Sequence, residues 1–350
     1  MNRTVTRILI SLAVVFTALL IGAGLIASVG VSPIYAYSVL FQGAFGDFRS
    51  LTDCLVKAIP LVFTGLAFAF AAKCNIYNIG AEGQLYVGAL ATVAAGVYLT
   101  GLPAPVHIPL CILAGALAGG IWAGIAAWLK VRLGINEVIN TIMLNYVGKL
   151  FVSFMVYGPM IENPNKSPQT QQLQDSALFP VLFRGTKLHM GILVAILACV
   201  VIHIIFRHTT LGFDLAAVGY NQTAARFSGV QVKRYIFLAL FISGMLAGLA
   251  GAVEMMGPNK RLIIGFSPDY GSNGIAVALL GQLNPLGIFL SSFFLGALRV
   301  GANSMQRVAM VPAQIISIIQ GLIIIFVIAE EAVIALVDRR SRKKEVRADA

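Results

Sequence analysis

The sequence predicts an all-α membrane protein: a polytopic bundle of about ten membrane passes. Three observations carry this reading. Hydrophobic residues make up 58% of the 350 and mean hydropathy is +0.87. Charged residues are 11%, against about 25% in soluble domains, so most of the surface must face something other than water. Apolar runs near the roughly 20 residues that a bilayer core requires recur along the whole chain.

In order, the runs are 8–30, 51–72, 79–100, 107–129, 138–157, 189–206, 235–256 and 312–337. A further apolar stretch, 272–302, is interrupted at Asn284-Pro285 and reads as two passes, with 272–283 short or re-entrant. Helices are the spanning element, because lipid offers no partner to an open strand edge. The alternating ten-residue pattern of a membrane barrel is absent. The first run exceeds a signal-peptide core and reads as an anchor. No soluble domain fits between the runs, which gives one transmembrane domain, 1–338, and a basic tail, 339–350.

Lys and Arg set the orientation. With the N-terminus inside, inner segments carry Arg3, Arg7, Lys73, Lys130, Arg132, Arg207, Arg226, Lys233, Arg234 and six tail residues from Arg339 to Arg347, making 15. Outer segments carry 8. The bias places both termini in the cytoplasm, and a six-charge tail on that side requires an even number of passes. The surplus of +11 is therefore a topology signal, and no nucleic-acid partner is indicated. Cys54, Cys74, Cys111 and Cys199 are isolated and read as packing residues, with no metal or redox spacing.

Two loops are long. The outer loop, about 158–188, is rich in Asn, Gln and Pro, and reads either as a docking surface or as a solvated connector. The inner loop, 207–234, holds Asn221, which can cap a short helix from Gln222, with Ala224, Ala225, Phe227 and Ser228 as a small apolar face and Gly229 as a stop. Glycine strings such as Gly115, Gly119, Gly120 and Gly124, or Gly244, Gly248 and Gly251, signal close helix packing.

Polar groups inside spans need a partner or a water-filled cavity. The densest set is NIYNIGAEGQ, with Asn75, Asn78, Glu82 and Gln84, which reads as a pathway or gate, or as a hydrogen-bonded turn. In GINEVINTIMLNY, Asn136 can cap a helix, Glu137 sits at its positive end, and Asn136, Asn140 and Asn145 form a stripe that faces a passage or bonds neighbouring helices. Lys149 and Glu254 are lone charges that could pair. Phosphate-loop, HExxH, GxSxG and Cys/His ligand patterns are absent, so the chain reads as a permeability pathway and not an enzyme, with no cofactor implied. An ion-coupled secondary transporter is the alternative; it requires charges paired near mid-membrane.

Several strings, in order, resemble one family: GAFGDF at 43–48, PLVFTGLAFAFA at 60–71, NIYNIGAEGQ at 75–84, GINEVINTIMLNY at 134–146, VGYNQTAARFSGV at 218–230, GIAVALLGQLNPLG at 274–287 and VPAQIISIIQGLIIIFVIA at 311–329. The family is that of membrane subunits of bacterial ABC importers of the nucleoside and simple-sugar type, related to ribose and branched-chain amino-acid permeases. The length and the GAFG segment resemble the longer of two paired permeases. The resemblance implies location in the cytoplasmic (inner) membrane, a separate cytoplasmic ABC ATPase, a second homologous permease and an external substrate-binding lipoprotein. It also makes the inner loop a coupling helix, with Asn221, Ala224, Ala225, Arg226 and Gly229 against the ATPase.

Overall fold

A computed structural model describes residues 17–326 apart from 164, 166 and 323. The basic tail and the start of the first run lie outside the described residues. The chain forms two compact units, Thr52–Gly296 and a second unit made from Met1–Leu51 with Ala297–Ala350.

In the second unit, α1 (Thr17–Ser28) and α2 (Pro33–Phe45) meet at a 114° bend. Gly30 takes a left-handed φ of 78° at the turn, and Pro33 opens α2 without losing a needed hydrogen bond. The Tyr37 hydroxyl donates to Leu19 O at 2.7 Å and ties the pair together.

The larger unit holds most of α3 (Phe48–Ala72), then α4 (Ala81–Tyr98), α5 (Ala104–Leu133), α6 (Glu137–Tyr157), α7 (Gly191–His208), α8 (Thr210–Tyr220), α9 (Gln222–Phe227), α10 (Val232–Glu254), α11 (Tyr270–Leu280) and the start of α12 (Pro285–Val308). A final helix, α13, is described over Ala313–Phe326. Among the described residues, six helices are long and apolar enough to cross a membrane, or up to seven when the bent α1–α2 pair counts as one span.

The core of the larger unit is α4, α5 and α10. Lipid supplies no hydrophobic drive between helices, so close backbone approach does the packing. A Cβ on Gly248 would collide with Gly115 O, and one on Gly244 would collide with the Ala123 Cβ and lie 2.5 Å from Gly119 O. The glycine strings read from the sequence are thus the seam itself. At the C-terminal end of α5, Lys130 and Arg132 complement the helix dipole and Gly134 closes the helix with a φ of 70°.

The break between α11 and α12 falls where Asn284-Pro285 placed it, with Gln282 and Leu283 at positive φ. At 11 residues, α11 is about 16 Å long, half a membrane's depth. The long loop at about 158–188 is tied to the helix ends beside it. Thr170, Leu173 and Phe179 donate from their backbone N–H groups to Leu262 O, Lys260 O and Met256 O, and Gln174 bonds Gly96 O and Val97 O. It is a cap fastened across the ends of α4 and α10.

Candidate functional site

After α3 the chain turns through Asn75, at a φ of 54°, and Ile76–Ile79 run without helical structure before α4 begins at Ala81. The depth of this break follows from its partners. The Asn78 amide donates to Ser243 Oγ at 2.8 Å. Ser243 is eleven residues into α10, about 16 Å from its N-terminal end, near the middle of a roughly 30 Å core. Non-helical backbone at that depth has to be satisfied by protein.

Side chains do this. Asn78 also donates to Gln84 Oε1 at 2.8 Å, and Gln84 donates back to Asn78 Oδ1 at 3.0 Å. Gly80 N donates to Asn78 Oδ1 at 2.9 Å, and Ile79 N to Thr141 Oγ1 at 3.3 Å. Asn145 accepts from Gly83 N at 2.7 Å and donates to Ile79 O at 2.8 Å. Ser243 completes the set by donating to Ala67 O at 2.6 Å. This is a closed knot that binds α3, α4, α6 and α10.

One turn along α4 lies a second cluster of different character. The Glu82 carboxylate, 2% exposed, accepts from Gly271 N at 2.6 Å in the first turn of α11. The positive end of that half-length helix is thus aimed at an anion, while Glu82 itself sits in the first turn of α4. Lys149 Nζ lies 3.7 Å from Glu82 Oε1 and 3.7 Å from Asp269 Oδ1, and 5.5 Å from the Tyr86 ring centre. The Lys149 and Asp269 side chains are 39% and 72% exposed. Two helix starts and three charges therefore meet near mid-depth, closed on the Glu82 side and open on the other.

Between α7 and α10, α8 and α9 form a surface. Thr209 caps α8 by accepting from Gly212 N at 3.2 Å, and Asn221 caps α9 by accepting from Thr223 N and Ala224 N at 2.9 and 3.0 Å. A Cβ on Gly219 would collide with Lys73 O, so α8 lies directly on the turn that feeds the knot. A cavity of about 460 Å³ beside this contact is lined by Lys73, Asn75, Tyr220, Gln282 and Leu283, among others. Tyr220 and Phe227 are 91% and 89% exposed.

Residues 50–328 match the family described as branched-chain amino acid transport system / permease component. The chain belongs to this family. It is 36% identical to the guanosine ABC transporter permease protein NupP of Bacillus subtilis over 349 residues, 98% of this chain and 99% of that one. The glucose ABC transporter permease protein TsgB13 of Haloferax volcanii is 36% identical over 91% of this chain and 86% of its own length. The nucleoside ABC transporter permease protein NupB of Lactococcus lactis is 34% identical over 93% and 92%. Bacillus subtilis also has NupQ, a guanosine ABC transporter permease protein 27% identical over 69% of this chain. The permease is a multi-pass membrane component of an ABC importer and not an enzyme.

Of the candidate residues, the permease brings Asn78, Gln84 and Asn145 into the knot and Glu82 beside it. Asn136 and Glu137 stand apart, about 12 Å away at the N-terminal end of α6. Asn136 caps α6 by accepting from Val138 N at 2.9 Å, and Glu137 pairs with Lys130 at 2.6 Å. Asn140 donates to Ala126 O at 3.3 Å. Asn140 and Asn145 are therefore glue between helices, whereas Asn136 serves its own helix. Asn75 is exposed beside the cavity at Lys73 and Tyr220.

Two expectations are corrected. Lys149 pairs with Glu82 and Asp269 rather than Glu254, because Glu254 lies a further eleven residues along α10 and accepts from Asn259 Nδ2 at 3.4 Å. Ala225, read as part of a contact face, is 4% exposed and turned inward, where it seats α9; Asn221, Ala224, Arg226 and Gly229 remain on the exposed side. The sequence reading missed α8, although Thr209 followed by Leu211, Leu215 and Val218 at helical spacing is its signature. It also missed Thr141 and Ser243, single hydroxyls in apolar runs, and Asp269, which resembles an ordinary loop residue.

Proposed function

We propose that this permease forms half of the translocation pathway of an ATP-driven importer, with nucleosides as the substrate class and simple sugars second, working by alternating access. The observation that carries the pathway is the Glu82–Lys149–Asp269 cluster, whose exposed side at mid-depth requires a water-filled cavity or a partner subunit; charges paired there also fit ion coupling, and it is kinship to ABC permeases that favours ATP as the driver. Asn78, Gln84, Asn145 and the hydroxyls around them hold the break rigid beneath it, and Asn75 lies at the inner mouth. Asn136 and Glu137 fix the inner end of α6 as part of the gate. Kinship to guanosine, nucleoside and glucose permeases supports the substrate class, and the NupP and NupQ pair supports a second permease across the pathway.

Ten passes fit the chain: the first run, α3, the α4 segment, α5, α6, α7, α10, α11, α12 and α13, with both termini cytoplasmic and the membrane the inner one. The polar stretch before α4 and the loop before α11 complete the two short helices. An external binding lipoprotein delivers substrate to the capped face. On the inner side Asn221, Ala224, Arg226, Gly229 and the exposed Tyr220 and Phe227 dock in the ATPase. Aromatic anchors of this kind dominate interface energetics. Gly219 against Lys73 O is the route by which α8 moves the turn below the knot.

The test is uptake of labelled guanosine and glucose by cells expressing the permease with a second permease, ATPase and binding lipoprotein. Guanosine uptake abolished by removing the ATPase phosphate-loop lysine is expected. Uptake indifferent to that lysine would favour ion coupling, and uptake of glucose alone would refute the nucleoside assignment.

A further inference from the structure

At the inner ends of α5 and α10 the structure has a second cavity, about 380 Å³, lined by Trp128, Val131 and Arg132 from α5 and by Lys233, Arg234, Phe237 and Leu238 from α10. Three cations share it with four apolar or aromatic side chains, and no acid lines it. The acids that could neutralise them are engaged elsewhere: Glu137 holds Lys130 at 2.6 Å, and Asp214 accepts from the Tyr235 hydroxyl at 2.5 Å. Among the described residues, none of the three cations has an acidic partner at ion-pair distance.

The position is interfacial. At 30 residues α5 is about 45 Å long, well beyond a roughly 30 Å hydrocarbon core, so its last turn reaches the headgroups. Above the cavity, Leu117, Ile121, Ile125 and Trp128 recur at helical spacing and are all exposed, giving an apolar track that runs up α5 from the cations. Phe237 stacks with Phe241 at 5.9 Å and approaches Gly124, which joins the cavity to the glycine seam.

We propose that this groove is a binding site for an anionic phospholipid of the inner leaflet, its headgroup held by Arg132, Lys233 and Arg234 and one acyl chain lying along Ile125 and Ile121. Charge complementarity chooses an anion, and the continuous apolar track chooses a lipid over free phosphate. Bound there, the lipid clamps the inner ends of α5 and α10, the helices whose backbones are closest.

The experiment is native mass spectrometry of the assembled transporter, permease pair with ATPase, titrated with cardiolipin, phosphatidylglycerol or phosphatidylethanolamine. The wild type is expected to retain the anionic lipids at least tenfold more tightly than phosphatidylethanolamine. The neutral variant Arg132→Gln/Lys233→Gln/Arg234→Gln should lose about a hundredfold of that affinity, since each basic residue near a lipid surface contributes about fivefold. The charge-keeping variant Arg132→Lys/Lys233→Arg/Arg234→Lys should retain it. Undiminished lipid binding by the neutral variant, equal loss in the charge-keeping one, or displacement by inorganic phosphate alone would overturn the proposal. So would shedding of the ATPase by the neutral variant with lipid retained, which would make the groove a protein contact.

Discussion

The Asn78 knot and the Glu82–Lys149–Asp269 cluster lie within one helical turn of each other, at similar depth, and are built from the same short run of sequence. They differ in closure. In the knot each amide is matched to a backbone group or another side chain, and Asn78 and Gln84 are fully buried. In the cluster a buried carboxylate faces a lysine and an aspartate that are partly open. A polar residue in a membrane span is thus no pathway residue by itself. Satisfaction in place marks structure, and an open side marks a surface that awaits water, substrate or a partner.

Four substitutions sharpen that contrast, taken from the largest expected effect to the smallest. Asn78→Leu strips Gly80 N, Gln84 and Ser243 of a shared partner at a site that water cannot reach. Unsatisfied buried groups cost about 1–3 kcal/mol each, so most of the folded permease should disappear in fluorescence-detected size exclusion. Normal folded yield would show that the knot is dispensable.

Glu82→Gln keeps the shape and the acceptor for Gly271 N but removes the charge facing Lys149. Transport should fall about tenfold, equivalent to roughly 1.4 kcal/mol, with folded yield unchanged. A parallel loss of yield would place Glu82 with the knot. Gly219→Val pushes α8 off the Lys73 carbonyl, so ATP hydrolysis should continue while uptake drops severalfold; an equal fall in both would argue against a coupling contact. Asp269→Asn should change uptake by less than about threefold, because an ion pair this exposed contributes only about 0–1 kcal/mol.

Much of the architecture is legible in the sequence because lipid imposes a coarse rule. Most apolar runs correspond to helices, and Asn284-Pro285 marks the α11–α12 break because a proline is favoured in the first turn of a new helix, where its missing N–H costs nothing. The caps at Asn136 and Asn221 are equally legible, since a side-chain oxygen two or three residues from a backbone N–H is a local feature. The depth of the Asn75–Gly80 break is not. Its level is set by Ser243, 165 residues away from Asn78, and by Asn145 on a third helix. The partner of Lys149 is hidden for the same reason: Glu82 and Asp269 are brought to it by two helix starts, and no spacing along the chain encodes that meeting. Local chemistry gave α9, while α8 was lost because its cap, Thr209, follows directly on α7.

The most direct test of the contrast is thiol labelling in the assembled transporter. Lys149→Cys and Ser243→Cys would be treated with a membrane-impermeant cationic methanethiosulfonate, against the unmodified chain, whose four cysteines are all buried. Position 149 should react within minutes and be protected by substrate, while position 243 should stay unreactive. Equal labelling of the two, or none at 149 in any nucleotide state, would contradict the account.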